Sequence, residues 1–180
     1  MDEASIIAGC IDGNRKAQKA LFEHYSKGML LLCRRYVKDV HNAEDVLLSG
    51  FYKFFASIDR FEYTDNKSAG KWLKKIMINE CLLFLRAKKD IVFITEEHGD
   101  EVILNEDVFE KMNADVILRL IKSLPDGYRI VFNMYVIEGY NHREIAEILQ
   151  ITEGTSKSQL SKAKAFLQKQ LQKQGTFYER

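Results

Sequence analysis

Residues 140–167 read YNHREIAEILQITEGTSKSQLSKAKAFL, two helix-forming pieces joined by a short turn. In the first, Asn141 is placed to cap and Glu144 follows three residues later, as in a capping box. Ile145, Ala146, Ile148 and Leu149 then share one side. The piece stops at Gln150-Ile151. Thr152 caps a second piece in which Ser156, Leu160, Ala163 and Leu167 recur at helical spacing and form a narrow buried face. At about 100° per residue, Thr155, Ser158, Ser161, Lys162 and Lys169 gather on the opposite side, with Lys157 at its margin. Short hydroxyls and lysines on one helix face suit a DNA major groove. Any helical bundle also contains amphipathic helices joined by a turn, with lysines facing water, so this stretch alone leaves DNA binding and plain packing both open.

The chain outside this hairpin sets the class. Its 180 residues are 46% hydrophobic with one Pro and ten Gly, enough for one moderate core or two small ones. Long stretches of helical spacing and few alternating ones predict an all-α protein. A formal net charge of +1 means that affinity for nucleic acid must come from local patches or from a partner. No apolar run is long enough to span a bilayer, and the N-terminus MDEASIIAGC is acidic where a signal peptide is basic, which predicts a cytoplasmic protein. Cys10, Cys33 and Cys81 are odd in number and set in apolar helical contexts, so they are read as core rather than as disulfides or metal ligands.

Taken in order, Ala17, Leu21, Phe22 and Tyr25 mark a first helix from Asn14, broken at Gly28. A second runs from Met29 to Val37. A polar turn, with Asp39 or Asn42 as cap, precedes a third helix from about Ala43 to Ile58. Its aromatics Phe51, Tyr52, Phe54 and Phe55 are read mostly as packing. Arg60 to Gly70 is a polar loop. In the helix that follows, from about Lys71 to Lys88, Lys71, Lys75, Asn79 and Arg86 fall within an arc of about 80°, with Trp72, Ile76 and Leu83 beside it. Such a stripe holds a phosphate backbone and unstacked bases, or is simply a solvated face above a buried Trp. Residues 91–112 gather acidic groups and read as a linker. Helical spacing resumes at Ala114 and ends at Leu124-Pro125. Tyr128, Val131, Phe132, Tyr135 and Val136 line the next helix, Gly139 closes it, and a polar, frayed tail follows Leu171. No catalytic nucleophile motif, paired metal-spaced histidine or phosphate-binding Gly loop is present, so neither an enzyme nor a cofactor or metal site is expected.

Three blocks occur together in order: RRYVKDVHNAEDVLLSGFYKFF (34–55), KWLKKIMINECLLFLR (71–86) and LPDGYRIVFNMYVIEGYNHREIAEILQITEGTSKSQLSKAK (124–164). With them the chain resembles an extracytoplasmic-function (ECF) sigma factor of the sigma-70 family from about Asn14 to Leu171, and the wording of the last block is most similar to Bacteroidetes-type members. The resemblance implies two small helical domains joined by the acidic linker. Residues 1–90 would be the region-2 domain, which docks on the clamp helices of the polymerase β′ subunit and melts and reads the minus-10 element. Residues 113–180 would be the region-4 helix-turn-helix domain, which docks on the β flap and reads the minus-35 element.

By the same resemblance, Glu44, Asp45, Leu48, Ser49 and Phe51 lie near the β′ contact. Phe61, Tyr63, Asn66, Lys67 and Ser68 hold a flipped non-template base, and Lys71, Trp72, Lys75 and Asn79 support the separated strand. Thr155, Ser156, Lys157, Ser158, Ser161 and Lys162 face the minus-35 duplex. The partners implied are core RNA polymerase, promoter DNA and a membrane-anchored anti-sigma factor. The chain departs from the common pattern at Leu48, Leu83, Gln159, Lys162 and Lys164. Where lysine replaces arginine, a point charge replaces the bidentate fork that reads guanine. Placed in the RNA path of the polymerase, the acidic linker would mimic RNA. Two other classes remain to be separated: a stand-alone helix-turn-helix regulator, which binds duplex DNA without polymerase, and a helical interaction module that never touches DNA.

Overall fold

The computed structural model describes residues 3–65, 67–88, 93 and 113–178, the last five by backbone alone. The chain divides into two compact units, Met1–Lys89 and Asp90–Arg180. Among the described residues every regular element is helical, as the spacing predicts. The expected acidic linker lies outside the described residues.

Unit 1 is built of α1 (Glu3–Ile11), α2 (Arg15–Tyr36), α3 (Val40–Ala56), a 3-10 turn (Ile58–Arg60) and α4 (Ser68–Ala87). The sequence gives no strong signal for α1, which buries only Ile7 and Cys10. Packing against α2 holds it. Asn14 caps α2, accepting from the Lys16 and Ala17 amides at 2.9 and 3.3 Å.

The break expected at Gly28 does not occur: α2 runs through it as one helix of 22 residues. A mid-helix glycine costs only about 1 kcal/mol relative to Ala. Burial of Leu21 before it and of Leu32, Cys33 and Tyr36 after it outweighs that. Of the two possible caps for α3, Asp39 is the one used, accepting from the Asn42 amide at 2.9 Å. The helix therefore starts three residues earlier than its apolar spacing suggests. All three cysteines are buried thiols.

α2, α3 and α4 pack against one another around Tyr36, Phe54, Leu73, Met77 and Cys81, each fully enclosed. Gly50 lets α3 and α4 approach: a Cβ built there would overlap the Met77 thioether, itself buried. Gly28 instead faces open space. Opposite signs are therefore expected. Gly28→Ala should stabilise the protein by about 0.5–1 kcal/mol, whereas Gly50→Val should cost about 1–3 kcal/mol by overpacking. Thermal unfolding of the two variants checks both signs.

Unit 2 comprises α5 (Ala114–Ser123), α6 (Asp126–Phe132), a π-helical segment (Asn133–Ile137), α7 (His142–Leu149) and α8 (Glu153–Tyr178). The long α8 is the element against which α5, α6 and α7 pack. Pro125 leads into α6, whose Arg129 is 1% exposed. The guanidinium Nη1 donates to the Leu124 carbonyl at 3.0 Å and pairs with Asp126 Oδ1 at 2.5 Å. Burial lowers the Arg129 pKa, and Asp126 opposes that.

The helix expected to carry Tyr135 and Val136 on its apolar face instead turns π-helical at Asn133, with Glu138 N donating to Asn133 O at 2.9 Å. The wider turn shifts the side-chain register. Tyr135, Val136 and Ile137 are left 39%, 42% and 38% exposed. Gly139, at φ 80°, then turns the chain into α7. The tail expected to fray after Leu171 stays helical in its backbone to Tyr178.

Candidate nucleic-acid interface

Three surfaces carry the residues singled out by the sequence. The first lies on α4 and the loop before it. Lys71, Lys75, Asn79 and Arg86 are all exposed, as the helical arc predicts, because Leu73, Met77, Ile78, Cys81 and Leu82 take the core side. Beside this stripe Trp72 is held between two rings. Phe54 lies at 4.8 Å between centroids, and Phe61 stacks on it nearly parallel at 5.0 Å and 17°. Phe61 is therefore part of the floor under the loop, half-buried against the indole.

The loop above that floor is closed by its own polar groups. Ser68 Oγ donates to the Asp65 carbonyl at 2.6 Å, and Asp65 Oδ1 accepts from the Lys67 amide at 2.7 Å. Lys71 approaches the same carboxylate at 3.9 Å. Asn66 lies outside the described residues; Tyr63 is half-buried and Lys67 exposed.

The sequence reading missed a brace beneath this loop. Tyr25 Oη donates to Glu3 Oε1 at 3.0 Å. Burial, then the Glu3 bond and charge, push its pKa up to about 12. Its ring sits against Gly70, where a Cβ would come within 3.0 Å. Thus α1 and α2 fix the first turn of α4. A Tyr followed 45 residues later by a Gly is no signal in a single sequence.

The second surface is on α3. Glu44, Asp45, Leu48 and Ser49 are exposed, Leu48 by 57%. Phe51, expected among them, is 3% exposed and packs against Phe22 at 4.6 Å and Phe55 at 6.1 Å. At 100° per residue it falls with Leu47 and Phe54, on the core side. Tyr52, four residues after Leu48 and read as packing, is 75% exposed. Leu48 and Tyr52 together form the apolar ridge of this surface. Lys53 on its margin ties α3 to α4 through Glu80 at 2.6 Å.

The third surface is the helix-turn-helix. The capping box is formed in both directions: Glu144 N donates to Asn141 Oδ1 at 2.9 Å, and Asn141 N to Glu144 Oε2 at 2.8 Å. α7 ends at Gln150 in the left-handed region, φ 57°, a turn the sequence does not announce because the usual Gly is missing. Thr152 accepts from the Thr155 amide at 3.0 Å. Ser156, Leu160, Ala163 and Leu167 are buried, as the spacing predicts.

Thr155, expected on the outward face, is only 7% exposed, its hydroxyl 2.9 Å from that of Thr152. Ser156, counted among the duplex-facing residues, is fully buried, its hydroxyl 2.9 Å from His142 Nδ1. Both lie in the first turn of α8, where the side chains meet the preceding turn and α7 rather than solvent. Gln159 is also buried. Lys157 is exposed, and Ser158, Ser161 and Lys162 are half-exposed. These four are the residues of the expected duplex-facing set that α8 leaves accessible.

No helix among the described residues is long and apolar enough to cross a membrane. Two family models match the chain: Sigma-70 region 2 over residues 21–91 and Sigma-70, region 4 over residues 114–167. The chain is 28% identical over 172 residues to the ECF RNA polymerase sigma factor SigW of Bacillus subtilis, covering 88% of this chain and 91% of that protein. It is 26% identical over 165 residues to the ECF RNA polymerase sigma factor SigM of Mycobacterium tuberculosis, covering 92% and 82%. With the ECF RNA polymerase sigma-E factor of Haemophilus influenzae it shares 23% identity over 185 residues and 96% of each chain. Among solved structures, CnrH in complex with the cytosolic domain of CnrY aligns with a TM-score of 0.49 at 18% identity, over 93% of this chain and 95% of that one.

Proposed function

Because this chain belongs to the sigma-70 family, in its ECF group, and directs core RNA polymerase to promoters, we propose how its surfaces divide that work. Residues 1–90 form the region-2 domain, 91–112 the linker and 113–180 the region-4 domain. The single observation that carries the reading is the exposed stripe Lys71, Lys75 and Asn79 running alongside the Phe54–Trp72–Phe61 stack. Cations beside a ring platform suit a separated strand, whose phosphates and bases need both. The loop 61–68 holds a flipped non-template base over that platform.

Leu48 and Tyr52, flanked by Glu44, Asp45 and Ser49, contact the β′ clamp, the buried Phe51 supporting them from below. Lys157, Ser158, Ser161 and Lys162 face the minus-35 duplex, while Thr155 and Ser156 position the helix that carries them. Tethering by polymerase lets these modest contacts suffice. The protein works in the cytoplasm and is held inactive by a membrane-anchored anti-sigma factor. The EGTSKS wording of the last block supports a Bacteroidetes-type assignment.

The experiment is transcription by core polymerase with and without the purified chain, from a promoter library randomised at both elements. Promoter-specific RNA that depends on the chain supports the reading. Duplex binding without core would favour a stand-alone regulator, and neither result an interaction module. In the same assay Lys157→Ala or Lys162→Ala should weaken minus-35-dependent initiation by about 1–3 kcal/mol if the side chain reads a base. A phosphate contact would instead lower affinity on all sequences and flatten its salt dependence. Unchanged transcripts would remove the residue from the interface.

A further inference from the structure

The outer face of α8 is useful only if the helix is held in one rotational phase, since a shift of one residue turns every side chain by about 100°. From its second turn to Leu167 that phase is set by Leu160, Ala163 and Leu167, all buried. Its first turn has no apolar anchor: the inward positions there are Thr155, whose hydroxyl lies 2.9 Å from that of Thr152 within the turn, and Ser156, fully enclosed. The group that meets Ser156 is His142, the first residue of α7, whose Nδ1 lies 2.9 Å from Ser156 Oγ. The face of the imidazole stacks on Tyr135 of the π-helical segment, at 4.4 Å between centroids and 23°. Thus one ring links the segment before the hairpin, its first helix and its second, next to the outward Lys157.

Resting on the minus-35 reading above, we propose that His142 is a positioning residue for promoter choice: as a neutral hydrogen-bond partner of Ser156 it sets the phase of α8, rather than binding a phosphate as a cation. Its surroundings agree. Burial, first, and the nearby Lys157 lower its pKa, opposed by Glu153, with Lys164 acting in the lowering direction. The positive end of α7 also disfavours a proton there.

The test uses holoenzyme and the same randomised library, with minus-10 preference as the internal control. His142→Ala and Ser156→Ala should each reduce minus-35 preference by about fivefold to tenfold, the size of one part-buried hydrogen bond. The double variant should do no worse than either single one. Minus-10 preference and the salt dependence of binding should not change.

His142→Asn, which keeps a polar atom near the place of Nδ1, should restore most of the preference. It carries the test if His142→Ala fails to fold. Full preference in both single variants, losses that multiply in the double, or no rescue by Asn would overturn the proposal. A flattened salt slope in His142→Ala would assign the ring to phosphate contact instead. If the wild-type holoenzyme itself shows no minus-35 preference, the functional reading falls and the proposal with it; preference kept by wild type and variants alike defeats the His142 assignment alone.

Discussion

Replacing Trp72 by Ala should lower open-complex formation on duplex promoters by about fivefold to 150-fold, the range given by about 1–3 kcal/mol for a ring that supports an unstacked base. The indole lies between Phe54 and Phe61, so its removal also strips Phe61 of its stacking partner and loosens the floor of the loop. Part of the effect is thus local structure. Trp72→Phe should retain most of the opening activity, since a smaller ring still bridges the two neighbours. Permanganate reactivity of unpaired thymines reads the opening, and affinity for core polymerase reads whether unit 1 is intact. Normal opening by Trp72→Ala would remove the indole from the strand-separating surface; loss of core affinity along with opening would reduce it to a packing residue.

The second large effect is expected at Asp126. Asp126→Ala removes the carboxylate from a guanidinium that is 1% exposed. Removing one partner of a buried pair costs about 3–5 kcal/mol, and the lower end applies here because the Asp126 side chain is 23% exposed. At about 4–8 °C per kcal/mol for a domain of this size, the transition of unit 2 should drop by at least about 12 °C. Arg129→Met keeps the apolar stem and removes the charge, leaving the Leu124 carbonyl without this donor. It should cost less, about 1–3 kcal/mol. Calorimetry of the two variants decides: an equal or reversed order would mean that the pair does not dominate the stability of this turn.

Both expectations rest on residues that the sequence marks without explaining. Trp72 is conspicuous as the lone Trp, and its place beside the Lys71, Lys75 and Asn79 stripe follows from helical spacing. The ring stacked on it, Phe61, comes from across a loop, and no periodicity connects the two. Arg129 stands in the LP-x-x-x-R pattern, but nothing in the pattern says that its charge is buried. Leu48 and Phe51 entered together through the family resemblance, whereas helical arithmetic separates them, placing Phe51 inward with Leu47 and Phe54 and Tyr52 outward with Leu48. Chemistry alone, which favours burying both aromatics, misses that difference. On α8 the buried stripe was legible. Thr155 was misplaced because a wheel drawn for one helix ignores the turn and the helix packed against its first residues.

By itself the sequence determined that the protein is all-helical, that the hairpin at 140–167 is capped at Asn141 and Thr152, and which face of α4 meets solvent. Those are consequences of the 3.6-residue period and of side chains bonding to amides two or three positions away, and such interactions are written within a few residues of chain. Only the tertiary structure decided that α2 passes through Gly28, that α1 and Tyr25 brace the loop before α4, and that His142 meets Ser156 across the turn. Each of these depends on which helix lies against which, where a shared burial or a single hydrogen bond outweighs a local preference of about 1 kcal/mol.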